Sequence, residues 1–386
     1  MSSMTSRTPL LSTLPSFPWD SLASARALAE RHPDGIVDLS VGTPVDETPR
    51  VAQEALVAAS DAHGYPTVAG TGQLREAIVD FCRAHRGAPS ALNASGVLPT
   101  IGSKELVAHL PFQLGIGAGE AIAFPHIAYP TYDLGARLAG ARPVPLDVRS
   151  LAREGEGTLG SDVCLDSVRL LWLNTPSNPT GAVHDIDELR ALVAWARERD
   201  IIVASDECYA PLTWDVDEAP SILDERVNDG DLTSVLCAYS LSKQSNLAGY
   251  RAAFVAGDPA LVGELLAVRK HSGLMVPSPV QNAMAAALGE EASASRQRET
   301  YRARREILAP ALEAFGGSIE HSEAGLYLWT TFGEASEASI ERLAKLGILA
   351  APGTFYGEAG ARHVRISLTA TDERIASAAE RLRAAR

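Results

Sequence analysis

Lys243 lies in the run Ser240-Leu241-Ser242-Lys243, with Arg251 eight places on, between the apolar runs 234–239 and 252–256. Both runs have the composition of buried strands, so the lysine sits on a connection at the edge of a core. A partly desolvated ammonium loses its proton readily and becomes a nucleophile for carbonyl carbon. The hydroxyls of Ser240 and Ser242 and the guanidinium of Arg251 supply donors for a phosphate. Together they suit Schiff-base chemistry on a phosphate-bearing aldehyde.

Other polar residues recur where strands should end. Asp206 closes the apolar run 201–205, and Tyr209 follows three residues later. Ligands of open α/β sheets sit at the carboxyl ends of strands. An aspartate there can hold a ring N–H, and the tyrosine can donate to a ring oxygen. Taken alone, the pair reads as an N-cap and a packed aromatic. Asn178, in Asn174-Thr175-Pro176-Ser177-Asn178-Pro179-Thr180-Gly181, offers a second donor to the same oxygen in a segment that is otherwise a turn. Ser103 and Lys104 begin a helix after the run 97–101, where free backbone N–H groups bind anions. Tyr129 follows the run 121–124 and can stack on a flat ring, although core packing is the commoner fate of an aromatic. Arg365 interrupts an apolar alternation, and an inward arginine needs a partner such as a substrate carboxylate. A solvent-facing strand side is the plainer alternative. Gly42 stands in a turn that allows close backbone approach to a ligand.

The elements that must position these residues alternate strand, loop and helix from residue 97 onward. Strands are expected at 97–101, 121–124, 142–146, 169–173, 201–205, 234–239 and 252–256, with helices at 104–114, 132–138 and 186–199. Continuous apolar strands between helices predict an α/β fold with a mostly parallel sheet covered on both faces. The last two strands are expected to depart from parallel order, because only the lysine-bearing loop joins them. Before these elements, helices are expected at 19–31, 49–62 and 74–85 and a short strand at 36–39. After residue 258 the pattern becomes helices at 261–271, 280–288 and 292–315, strands at 325–331 and 363–368, and helices at 335–346 and 372–385. The expected division is a large α/β domain over 46–265 and a smaller α+β domain from 1–45 and 266–386.

The chain has 386 residues and a net charge of −14, which argues against a nucleic-acid or anionic-membrane partner. Cys82, Cys164, Cys208 and Cys237 are widely spaced and form no CxxC pair, so neither a disulfide framework nor a metal site is expected, and reduced cytoplasmic thiols are. Residues 1–16 have no long apolar run and read as neither a signal peptide nor a membrane span.

The ordered series of Ser103, Tyr129, Asn178-Pro179-Thr180-Gly181, Asp206-x-x-Tyr209, Ser240-x-Ser242-Lys243 with Arg251, and Arg365 resembles the class I/II aminotransferases of fold type I, which use pyridoxal 5'-phosphate (PLP). The resemblance runs from about Gly42 to Arg365. It implies that Lys243 carries the cofactor, Asp206 holds its ring nitrogen, and Tyr209 and Asn178 hold its ring oxygen. It further implies that Tyr129 stacks on the ring and that Ser103, Lys104, Ser240, Ser242 and Arg251 hold the phosphate. Tyr65, in a Gly-Tyr-Pro loop, is implied to reach the phosphate site of the neighbouring subunit in a homodimer. Arg365, with Gly42 beside it, is implied to grip the substrate carboxylate. Finer runs, including 14–20, 38–46, 275–277 and 322–329, are similar to N-succinyldiaminopimelate aminotransferases. That subfamily implies amino transfer between N-succinyl-LL-2,6-diaminopimelate and 2-oxoglutarate in lysine and cell-wall synthesis. Gln244 departs from the pattern, which usually places a threonine-like residue after the lysine. Other amino-acid substrates, a C–S lyase and a non-enzymatic cofactor sensor are the competing readings.

Overall fold

The computed structural model describes residues 14, 15, 18–158 and 165–385. Cys164 and most of the N-terminal stretch lie outside them. Seven strands form one sheet in the order Val97–Ile101, Ala252–Gly257, Val235–Ser240, Ile202–Asp206, Val168–Asn174, Ala121–Pro125, Arg142–Leu146. Neighbours run parallel except Ala252–Gly257, which is antiparallel to both of its partners. The expected reversal at the lysine loop is therefore present. It follows from the short connection, since parallel neighbours need a long crossover. Arg142–Leu146 carries Pro143 and Pro145, which cannot donate to a ladder, and it lies at the sheet edge.

The continuous apolar runs divide between two cores. In Val168–Asn174, Leu171 and Leu173 join one cluster, and Leu170 and Trp172 join the other. Helices Gly72–Arg86, Ile186–Arg197 and Ser278–Leu288 cover the first face through Leu74, Leu189 and Met284. Helices Ser103–Gln113, Thr131–Ala139 and Pro259–Ser272 cover the second through Leu106, Tyr132 and Leu265. Two-sided burial is why the strands show little hydrophobic alternation.

A second body has a four-stranded antiparallel sheet in the order Ala351–Pro352, His363–Ser367, Tyr327–Thr331, Ser318–Ile319. Its core includes Leu22, Val37 and Leu39 from the start of the chain and Leu308, Leu343 and Ile375 from three later helices. Val37–Asp38 pairs in parallel with Ile348–Leu349. The region expected as a helix over 19–31 is a 3-10 turn, Pro18–Leu22, followed by an α-helix, Ala23–Ala29. The helix expected to reach residue 62 ends at Ala58, because residues 60–65 are exposed and bury no apolar face. The short helix Val148–Glu154, capped by the Asp147 side chain, escaped the periodicity reading because it spans only two turns. Among the described residues, no helix is long and apolar enough to cross a membrane.

Candidate functional site

The site forms where the carboxyl ends of the parallel strands meet the second body. Ser240 ends its strand and caps the one-turn helix Leu241–Gln244, accepting from the Ser242 N–H at 3.1 Å. This turn directs Lys243 back over the sheet edge, where its Nζ donates to the Gly42 carbonyl. Burial, together with the Arg365 and Arg251 cations, pulls the Lys243 ammonium below the usual lysine range, and Tyr327 and Cys208 only partly oppose this. An amine in that state is available as a nucleophile or base nearer neutrality than a surface lysine.

Asp206 is the last residue of its strand and is buried. Its Oδ2 accepts from the Tyr132 hydroxyl at 3.1 Å and its Oδ1 from the Cys208 N–H at 3.3 Å. Burial raises its carboxyl above the ordinary range, and those donors pull it back. A carboxylate so placed gains from an N–H cation in front of it. Tyr132 was not read from the sequence as a site residue. It stacks on Trp172 at 5.1 Å and looks, in sequence, like any core aromatic of a helix. Its ring meets that of Tyr129, two residues before the helix, edge-on at 5.9 Å.

At the other end of the cleft, Gly102 (φ +93) precedes Ser103, the first residue of its helix, and a Cβ at Gly102 would collide with the Arg251 guanidinium. Arg251 itself holds φ 57, a strained value for a residue with a side chain. The Ser240 and Ser242 hydroxyls lie 2.9 Å apart beside this opening. The start of a helix, a guanidinium and two hydroxyls thus lie at this end, a donor set suited to a phosphate dianion. Lys104, the second residue of that helix, is exposed.

Arg365 is 3% exposed. It donates to Asn178 Oδ1 at 3.0 Å and to the Ser40 carbonyl at 2.7 Å, and its Nε has no hydrogen-bond partner among the described residues. Its guanidinium carbon lies 3.9 Å from the Tyr327 ring centre, 5.1 Å from Tyr356 and 6.0 Å from Trp19. Among the described residues no carboxylate pairs with it. Tyr209 meets Tyr327 hydroxyl to hydroxyl at 3.2 Å. Tyr65 is 98% exposed and stands clear of this cleft. Gln244 turns away from it and accepts from Tyr239, whose ring belongs to the opposite core, so the departure after Lys243 leaves the cleft unchanged.

A buried amine, a buried acid at a strand end and a set of phosphate-type donors on a fold of this kind suit a PLP-dependent enzyme. Residues 34–382 match the model of the family "Aminotransferase class I and II", and the chain belongs to that family. It is 55% identical over 370 residues to a probable aminotransferase of Mycobacterium tuberculosis, covering 96% of this chain and 85% of the relative. It is 52% identical over 369 residues to the 4-dedimethylamino-4-oxo-anhydrotetracycline transaminase of Streptomyces rimosus, covering 96% of this chain and 99% of the relative. Among solved structures, a probable N-succinyldiaminopimelate aminotransferase from Thermus thermophilus superposes with a TM-score of 0.84 at 27% identity, covering 96% of this chain and 100% of that one. The protein is accordingly an aminotransferase that uses PLP, and the donors around Gly102 and the acid at the carboxyl end of the central strand Ile202–Asp206 fit that cofactor.

Proposed function

We propose that the cleft transfers an amino group between carboxylate-bearing substrates, with N-succinyl-LL-2,6-diaminopimelate as donor and 2-oxoglutarate as acceptor. The observation that carries the carboxylate is Arg365, a buried guanidinium with neutral partners and a partnerless Nε. Such a group is costly to bury until an anion meets it. When bound, PLP supplies an aldehyde and an electron-accepting ring. Lys243 would hold the cofactor, and its amine would move the proton at the substrate Cα. Asp206, positioned by Tyr132 and Cys208, holds the ring N–H. Tyr209 donates to the ring oxygen, and so does Asn178 through Nδ2, because its Oδ1 already accepts from Arg365. Tyr129 covers one ring face. Ser103, Ser240, Ser242, Arg251 and the Lys104 N–H hold the phosphate, and Tyr65 completes the neighbouring subunit's cup in a homodimer.

The choice of donor rests on the sequence runs similar to that subfamily and on the Thermus neighbour's description. A second reading, a bulky ring ketone as acceptor, is favoured by the walls around Arg365. Tyr327, Tyr356, Trp19 and Phe355 (5.3 Å from Trp19) are all aromatic, and the Tyr356 hydroxyl is buried without a partner. The Streptomyces relative's printed substrate is of that kind. The test is a half-reaction followed by cofactor absorbance, across glutamate, succinylated diaminopimelate, acetylornithine and aspartate. Conversion by succinylated diaminopimelate well above the others is expected. Failure of every amino acid to convert the cofactor would refute amino transfer. Conversion by glutamate alone, with ring ketones accepting the group, would move the assignment to the second reading.

A further inference from the structure

Tyr327 stands among the cleft residues without a role in the reading above. It is buried, and it comes from the antiparallel sheet of the second body rather than from the cofactor-bearing sheet. Its hydroxyl lies 3.2 Å from that of Tyr209. The same hydroxyl fills the space that a Cβ on Gly42 would occupy, and the Gly42 carbonyl receives the Lys243 amine. Its ring lies 3.9 Å under the Arg365 guanidinium. One side chain therefore touches the proposed ring-oxygen donor and the carboxylate grip, and abuts the backbone that anchors the lysine.

We infer that the Tyr327 hydroxyl is a positioning residue for amino transfer, coupling Tyr209, which it meets hydroxyl to hydroxyl, to the Gly42 backbone on which the Lys243 amine rests. The charges facing this group are known from each packed element. Arg365 comes from the late strand, Lys243 and Arg251 from the segment between the last two strands of the large sheet, Cys208 and Asp206 from the end of the aspartate strand, and the phenols of Tyr129, Tyr301 and Tyr356 from three further segments. Burial works against ionisation of the Tyr327 phenol. The Arg365 and Lys243 cations and the Tyr209 donor outweigh it and hold the phenol below the usual tyrosine range. Burial and the Tyr327 neighbour push the Tyr209 phenol the other way, so Tyr209 keeps its proton. Among the groups acting on Lys243, Tyr327 is the strongest that favours the charged amine. Removing the hydroxyl should therefore shift the lysine further toward its neutral form.

This inference rests on the proposed amino transfer, and its test separates the two. Tyr327→Phe keeps the ring under Arg365 and removes only the hydroxyl. In the cofactor-free protein, the pH midpoint for competitive acetylation of Lys243, read by peptide mass, is expected to move to lower pH. In the cofactor-loaded enzyme, kcat for the glutamate half-reaction should fall about tenfold, the rate equivalent of one charge-assisted hydrogen bond, with KM within about twofold. Gly42→Ala displaces the hydroxyl with a methyl group and should move the acetylation midpoint in the same direction, which serves if the phenylalanine variant does not fold. An unmoved midpoint in both variants, or a change in KM alone, would overturn the inference and leave amino transfer standing. Wild-type protein that transfers no amino group would refute the proposed reaction, while the acetylation result would still report on the coupling.

Discussion

Asp206 and Glu207 are adjacent in sequence, yet they face two differently finished regions. Behind the sheet, Glu207 closes a buried pair with Arg86 at 2.6 and 3.1 Å, and Ser221 and the Ile222 N–H complete its shell. Arg86 also donates to the Ala219 carbonyl. In front, Asp206 accepts from the Tyr132 phenol and from the Cys208 backbone N–H and thiol, all neutral donors, and the buried Arg365 meets no carboxylate among the described residues. Both regions bury charge, which folding alone resists. The rear region answers it internally with paired charges and hydrogen bonds. The front region leaves Lys243, Asp206 and Arg365 to be answered by a cofactor and a substrate, which marks a working site.

Removing the nucleophile breaks this contrast most completely. Lys243→Ala should lower turnover at least about a thousandfold and abolish covalent cofactor attachment, with circular dichroism and melting unchanged. Full activity in that variant would remove the central assignment. The paired arginine variants come next and should fail in opposite ways. Arg365→Ala should raise KM for carboxylate substrates by an amount worth about 2–5 kcal/mol, without loss of stability in the ligand-free protein. Arg86→Ala should cost about 3–5 kcal/mol of stability by stranding Glu207, with little effect on KM of the folded fraction. Equal losses of stability in both would erase the distinction between the two regions.

The smallest effect concerns another internally closed cluster. Glu188 takes His184 Nδ1 at 2.9 Å and Arg153 Nε at 2.6 Å. Burial alone would raise its carboxyl, but His184, Arg149 and Arg153 hold it down to about 2. A depressed carboxyl adds stability above its unfolded value, and that contribution is lost as pH falls toward the folded one. Acid unfolding followed by circular dichroism should therefore show a shallower loss between about pH 4.5 and 2 in Glu188→Gln than in the wild type.

The strands of the large sheet were legible because each is a dense apolar run bounded by turn residues, and the structure moves their limits by no more than a residue or so. The lysine turn, the Asp206 strand end and the helix start at Ser103 were legible for a related reason: each is a polar residue at the carboxyl end of such a run. Tyr132 and Tyr327 were not. An aromatic inside a helix or strand has the same pattern whether it packs in a core or turns its hydroxyl to a site. Short elements such as Val148–Glu154 and Ser318–Ile319 hold too few residues to show a period.

The sequence alone therefore determined the α/β alternation, the order of the chemical groups along the chain and the family they resemble. These depend on local composition and on which residue follows a strand. Tertiary structure decided which groups meet. Lys243 reaches Gly42 across 201 residues, and Arg365 reaches Asn178 across 187. It also decided that Arg365 is buried among rings rather than exposed on its strand, and that Gln244 faces the rear core. Those outcomes depend on how two sheets pack together, and contacts between distant segments leave no period in either one.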